Sequence, residues 1–146
     1  MSGDVLTRWG LVLHLPEEAR DAPSVITIED AFARGWDAYL ERCEALTAFL
    51  DEATAAVRVV SGRTAASPAG DLLEAGAQIA VSVVEVRPSS FVIAVRIRPA
   101  GDPDGGPIDG RWTLVLERTI TGERLPVPRE VRDELIAIQL GARDLS

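Results

Sequence analysis

The sequence predicts an α+β fold in which a curved antiparallel sheet wraps around one long helix. Two observations carry that expectation. Residues 27–52 hold a single apolar stripe at helical spacing, and from residue 77 onward the chain alternates apolar and polar residues in runs joined by short turns. One helix followed by hairpin-linked strands is the order of a two-layer domain, because each element has one apolar face to cover.

The elements follow in chain order. "VLTRWGLVLHL" (Val5 to Leu15) is apolar enough to read as a strand buried on both faces. "PEEARDAPS" is loop, and the β-branched "VITI" is a strand or an extended lead-in. In the next run Phe32, Trp36, Tyr39, Leu40, Cys43, Leu46, Thr47 and Leu50 recur at the i, i+3, i+4, i+7 spacing of an amphipathic helix. At 3.6 residues per turn that helix runs about six turns. "AVRVV" then precedes "SGRTAASPAGDLLEAG", a loop with room for a helical turn.

"AQIAVSVVEVR" and "SFVIAVRIRPA" are two strands joined through "PSS". "GDPDGGPIDG" is turn by composition, "RWTLVLERTI" is a strand and "TGERLPVP" a further turn. "REVRDELIAIQLGA" closes the chain as a helix that Pro128 introduces. Connections this short admit only antiparallel pairing. The whole chain, 1–146, reads as one domain without repeats, and its length suffices for a core without staples.

Composition excludes several functions. A net charge of -8 argues against nucleic acid, which calls for a basic surface. An anionic ligand needs only a local arginine cluster. Every basic side chain except His14 is arginine, so lysine Schiff-base chemistry is absent. One cysteine, Cys43, permits no internal disulfide and fits a reducing, cytoplasmic setting. No stretch has the length of a membrane span or the pattern of a signal peptide. No Cys or His cluster has metal spacing, and "GGPIDG" lacks the strand-to-helix context of a phosphate loop.

The residues offer two readings of the acids before the apolar stripe. Glu29 and Asp30 suit a helix start, where a carboxylate complements the dipole, and Thr27 to Asp30 fits a capping-box variant. Equally, a carboxylate there can attack a carbonyl or activate water while helix-start amides hold an oxyanion. His14 lies in a dense apolar strand with no nucleophile motif nearby and reads as a core or interface residue. Cys43 on the apolar face reads as packing.

Three stretches together resemble the hotdog-fold acyl-CoA thioesterases of the 4-hydroxybenzoyl-CoA type. They are "AYLERCEALTAFLDE", "VSVVEVRPSSFVIAVRIR" and "TGERLPVPREVRDEL", in that order and spacing. The resemblance implies hydrolysis of an acyl thioester of coenzyme A or of an acyl carrier protein. It implies no metal, coenzyme A or phosphopantetheine only as part of the substrate, and a homodimer or homotetramer with the substrate between subunits.

The family's catalytic acid lies just before the long helix. Counting back from Tyr39 it falls on Glu29, or on Asp30 with a loop one residue shorter. Some hotdog thioesterases take the acid from the helix itself, which brings in Glu44. In a continuous helix Glu44 stands about 100° from the centre of the apolar stripe. Amides near Phe32, Ala33, Arg34, Gly35 and Trp36 would polarise the carbonyl, with Trp36 and Tyr39 either core or acyl-lining. Arg34, Arg63, Arg87, Ser89 and Ser90 are candidates for coenzyme A phosphates.

Where the family has Asp, Gly, often His, and then Asn, this chain has Glu29, Phe32, Ala33 and Trp36. Gly35 is the nearby residue that could give backbone amides a comparable opening. The rival expectation is a non-catalytic hotdog protein that binds an acyl thioester, a hydrophobic ligand or a protein partner.

Overall fold

The computed structural model describes residues 9–14, 25–64, 72–74, 77–98 and 107–140. In chain order its elements are β1 (Leu11–His14), β2 (Val25–Thr27), α1 (Ile28–Glu41), α2 (Glu44–Ala53), β3 (Ala55–Thr64), β4 (Leu72–Glu74), β5 (Gln78–Val86), β6 (Phe91–Arg98), β7 (Ile108–Arg118), β8 (Arg124–Leu125) and α3 (Arg129–Gln139). A six-stranded sheet runs in the order β1-β5-β6-β7-β3, with β8 added to β7. Strands β2 and β4 form a separate pair, and every pairing is antiparallel.

The inner face of the sheet carries Ile79, Val81 and Val83 of β5, Phe91, Ile93, Val95 and Ile97 of β6, and Trp112, Leu114 and Leu116 of β7, all in one buried cluster. These are alternate positions along each strand, which a period of two places on one face. Helix α1 lies against them through Ala31, Phe32, Gly35 and Tyr39. At Gly35 the approach is close enough that a Cβ would stand 2.9 Å from Ile79 Cγ2 and 3.0 Å from Val81 Cγ2. The residue that the sequence offered as an opening for backbone amides therefore serves as a helix-to-sheet contact.

The expected long helix is two helices. After Tyr39 the chain tightens, with Arg42 N–H donating to Tyr39 O at 3.2 Å and Cys43 N–H to Leu40 O at 3.1 Å. Cys43 then turns extended (φ -83, ψ 98) before α2 starts. Arg42 Nη1 donates to Ala38 O at 2.9 Å, covering a carbonyl at the end of α1.

A new helix start leaves amides without partners, and Cys43 supplies no cap because its thiol donates to Tyr39 O. The acceptor comes from α3. Glu134, 8% exposed, accepts from Ala45 N–H at 3.1 and 2.9 Å through its two oxygens, and from Leu46 N–H at 3.2 Å. A carboxylate at this end also meets the positive pole of the helix. Helix α3 further donates from Gln139 Nε2 to Val84 O at 2.9 Å, at the β5 register shift between Val83 and Glu85.

Other boundaries move as well. Of the expected first strand, Leu11–His14 are seen as a strand while residues 5–8 and 15 lie outside those described; its pattern runs from buried Leu11 to exposed His14, so the histidine is not a core residue. Of the stretch read as a loop with room for a helical turn, "SGRT" extends β3 and Leu72–Glu74 form β4, while residues 65–71 and 75–76 lie outside those described. Strand β7 begins at Ile108, inside the stretch read as turn; residues 101–106 of that stretch lie outside those described. Among the described residues no helix is long and apolar enough to cross a membrane.

The helix contacts set two expectations. Glu134→Ala orphans two amides of α2, and a loss of about 1–3 kcal/mol is expected in urea unfolding; an unchanged midpoint would show that the cap is dispensable. Partial burial, with Glu41 one turn on, holds the Asp37 carboxyl above its ordinary range. The folded state thus disfavours its charged form, a cost absent below the unfolded carboxylate range and present once pH has risen above it. Asp37→Asn should give a small rise in melting temperature at pH 7 and none near pH 3. An equal rise at both would assign the effect to something other than charge.

Candidate active site

Glu29 and Asp30 stand in the first turn of α1 and not ahead of it, since the helix begins at Ile28. Both are exposed, and the side chain of Thr27, the proposed cap, lies outside the described residues. Their directions differ. At about 100° per residue, Glu29 falls about 20° from Trp36 around the helix axis, while Asp30 falls about 120° from it and away from the buried face. Glu29 therefore tops the flank of α1 that carries Phe32, three residues on, and Trp36, seven on.

That flank meets an aromatic cluster. Phe32 packs on Trp112 of β7 with ring centroids 4.7 Å apart, and Trp36 meets it edge-on at 4.8 Å. Such tilted and edge contacts bring positive ring edges to negative faces. The Trp112 indole lies over two glycines. A Cβ on Gly62 of β3, its cross-strand partner, would reach 2.3 Å from Trp112 Cδ1, and one on Gly110 would reach 2.3 Å from Cη2. Trp112 and its glycines were not singled out from the sequence. A Gly-x-Trp in a strand is the one local sign, since glycine inside a strand marks a close approach.

The break between helices moves Glu44 away from this cluster. In α2 the buried residue is Leu46, with Phe49, Leu50 and Ala53 packed against the core. Glu44 then lies nearly opposite that face, at about 160–180°, and is exposed. The border position expected from a continuous helix does not occur, because the break resets the helical phase.

The remaining candidates spread out. Ala33 is half-buried and Arg34 exposed on α1. Tyr39 is fully buried, and among the described residues its hydroxyl has no partner within hydrogen-bond geometry, although the Val83 backbone lies near. Burial, then the neighbouring Cys43 and Glu134, push that hydroxyl well above the usual phenol range, so it stays protonated.

Arg87 is engaged by Glu85 through two bonds of 2.9 Å, which also hold the Glu85 carboxyl below its usual range. Ser89 is exposed and Ser90 half-buried in a turn closed by Arg87 N–H to Ser90 O at 2.8 Å. Val127 N–H pins that turn by donating to Pro88 O, also at 2.8 Å. Arg63 is exposed on β3, opposite Arg111 in register. The structure thus brings Phe32 and Trp36 onto Trp112, with Glu29 two turns from Trp36 on the same flank of α1, and leaves Glu44, Arg63, Arg87 and the serines elsewhere.

No protein-family model matches the chain. Solved structures match it along most of its length. A gentisyl-coenzyme A thioesterase is 16% identical with a TM-score of 0.59, over 86% of this chain and 98% of that one. A 1,4-dihydroxy-2-naphthoyl-CoA thioesterase from Synechocystis is 10% identical with a TM-score of 0.60, over 88% and 95%. A thioesterase from Thermus thermophilus, solved with coenzyme A and zinc, is 14% identical with a TM-score of 0.61, over 90% and 95%. The chain has the hotdog fold of these proteins.

One curated relative, the probable copper-transporting ATPase PacS of Synechococcus elongatus, is 36% identical over 91 residues, which make up 61% of this chain and 11% of that protein. This chain has one cysteine and one methionine, short of the paired soft ligands that select copper(I). Among the described residues no group of three His, Cys, Asp or Glu side chains could hold a metal.

Gly110→Ala tests the aromatic cluster. A methyl group 2.3 Å from a rigid indole has to move the ring, and overpacking of this kind costs about 1–3 kcal/mol. The expected result is a lower melting temperature with an altered near-ultraviolet circular dichroism band. Unchanged spectrum and stability would mean that the indole does not lie over the strand.

Proposed function

We propose that this protein hydrolyses acyl thioesters, of coenzyme A or of an acyl carrier protein, with Glu29 as the catalytic carboxylate. The observation that carries the reading is the placement of Glu29 on the flank of α1 that leads through Phe32 and Trp36 to Trp112. Phe32 and Trp112 are buried, so in this reading the half-buried Trp36 is the aromatic that an acyl group would meet beside the carboxylate. The hotdog fold adds support, since its solved neighbours include coenzyme A thioesterases, one of them holding coenzyme A.

In the proposed reaction Glu29 takes a proton from water as the water oxygen adds to the thioester carbon. The first-turn amides of α1 receive the negative charge that develops on the carbonyl oxygen. Collapse of the tetrahedral adduct expels the thiolate, which takes up a proton, and leaves the carboxylic acid. The same carboxylate could add directly to the carbon, giving an anhydride that water then opens. Neither route calls on a metal. Asp30, directed away from the cluster, serves the helix dipole in this reading.

The site is completed by a second copy of the chain. Strand β3 is an edge of the sheet, with Val59 and Val60 40% and 37% exposed. An open edge with apolar side chains is a ready surface for pairing. Gly62, part of the aromatic cluster, lies on that same strand.

Binding without catalysis is the second reading, and Gly35 favours it. With Gly35 packed on β5 and β6, no open glycine remains in α1 to bring further amides to the carbonyl. A panel of short, long and aromatic acyl-CoAs, assayed by thiol release, separates the two. Glu29→Gln should lower kcat by about 10²–10⁴-fold, the contribution of a general base, while Asp30→Asn should change it less than tenfold. Wild-type turnover that survives Glu29→Gln would overturn the assignment of the acid. Tight acyl-CoA binding with no turnover would support the second reading.

A further inference from the structure

The packing around Trp36 closes the interior to a hydrocarbon chain. On the buried face of α1, Gly35 rests on the sheet so tightly that a methyl group there would meet Ile79 Cγ2 at 2.9 Å, Val81 Cγ2 at 3.0 Å and Val95 Cγ1 at 3.2 Å. No acyl chain passes between helix and sheet at that point, since carbon atoms in contact stand about 3.5–4.0 Å apart. Nearer the flank, the rings of Phe32, 1% exposed, and Trp112, 8% exposed, fill the space. Behind Trp112 stand Gly62 and Gly110, neither of which could take a Cβ without striking the indole. The ring has nowhere to retreat.

What remains for a ligand is the surface of the flank. At about 100° per residue, Glu29, Ala33 and Trp36 fall within about 60° of one another around the axis. Ala33 and Trp36 are both half-buried, but one side chain ends at Cβ and the other carries an indole. Trp36 meets Trp112 edge-on at 4.8 Å, and with Trp112 backed by glycines it cannot sink inward. The flank is therefore a shallow notch, with Glu29 at one end, Ala33 as its floor and Trp36 as its wall. Helical side chains all lean toward the N-terminus, so the spacing of the two ends is kept. At 1.5 Å per residue the notch is about 10 Å long.

We propose that Trp36 sets the acyl-chain length of the substrate, limiting it to about eight carbons. An extended chain covers about 3.5 Å per three bonds, so a chain of that size spans the notch. Further methylenes would lie across the indole edge in water, where they gain little, because only apolar area removed from water contributes. The inference rests on the reading of Glu29 as the catalytic carboxylate and goes beyond it by naming the substrate class, short- and medium-chain acyl thioesters. Trp36 meets the far end of the acyl group and not the reacting bond, so it acts on selection.

The test is a series of saturated acyl-CoAs from acetyl to hexadecanoyl, kept below micelle formation. Thiol release gives kcat/KM, and calorimetry with the non-hydrolysable thioether analogues gives binding of the same series. Both should rise up to octanoyl and no further. Trp36→Ala should favour dodecanoyl over octanoyl by about tenfold or more, and Ala33→Leu should remove the preference for octanoyl over butanoyl. Melting and near-ultraviolet circular dichroism check the fold of each variant. Leucine suits a half-buried helix position, so Ala33→Leu carries the test should Trp36→Ala fail to fold. Values that go on rising to hexadecanoyl in the wild type would overturn the length limit, as would a wild-type ranking in every folded variant. Absent turnover with the binding ranking intact would remove hydrolysis and leave the limit standing; turnover without the ranking would do the reverse. No binding of any acyl-CoA would overturn both.

Discussion

The grip of Glu134 on the start of α2 is the contact from which the rest of the inner layer takes its geometry. One carboxylate, on a helix 89 residues later in the chain, receives the amides of Ala45 and Leu46. Without an acceptor the break at Cys43 would leave buried donors unsatisfied, which costs more than an ordinary hydrogen bond gains. With it, α1 and α2 can each choose their own rotation about the axis. Helix α1 turns Gly35 onto the sheet, and α2 turns Leu46 inward and Glu44 outward.

The fold was largely legible in the sequence because its signals are local. Alternation in β5, β6 and β7 and the turns between strands are written in consecutive residues. The helix break was not. Tyr39, Cys43 and Leu46 stay on one apolar stripe at i, i+4 and i+7 across it, and no Pro or Gly interrupts residues 36–53. The determinant sits in α3, where Glu134 shows on its own helix only as an acid among Val131, Leu135 and Ile138. A pattern read one segment at a time cannot register a cap that tertiary packing supplies.

The candidate site was legible in part for a similar reason. Glu29, Phe32 and Trp36 lie on one helix, so their common flank follows from spacing alone. Trp112, on which Phe32 and Trp36 converge, is about 80 positions later and reaches them only through the order β6-β7-β3. Arg87 illustrates the opposite limit. Its position at a hairpin turn suits a phosphate ligand, but its neighbour two residues back already occupies the guanidinium. Composition counts charges, whereas availability depends on which of them are already paired.

The indole bracket of Gly62, Trp112 and Gly110 also constrains how this sequence can drift. While the tryptophan is present, neither glycine can gain a side chain without displacing the ring. Once a smaller residue replaces the tryptophan, both positions are released together. Neutral change here has a required order, ring first and glycines after, and the reverse order crosses an unstable intermediate. The three positions should accordingly vary as a set among descendants of this chain, although only one of them carries a side chain.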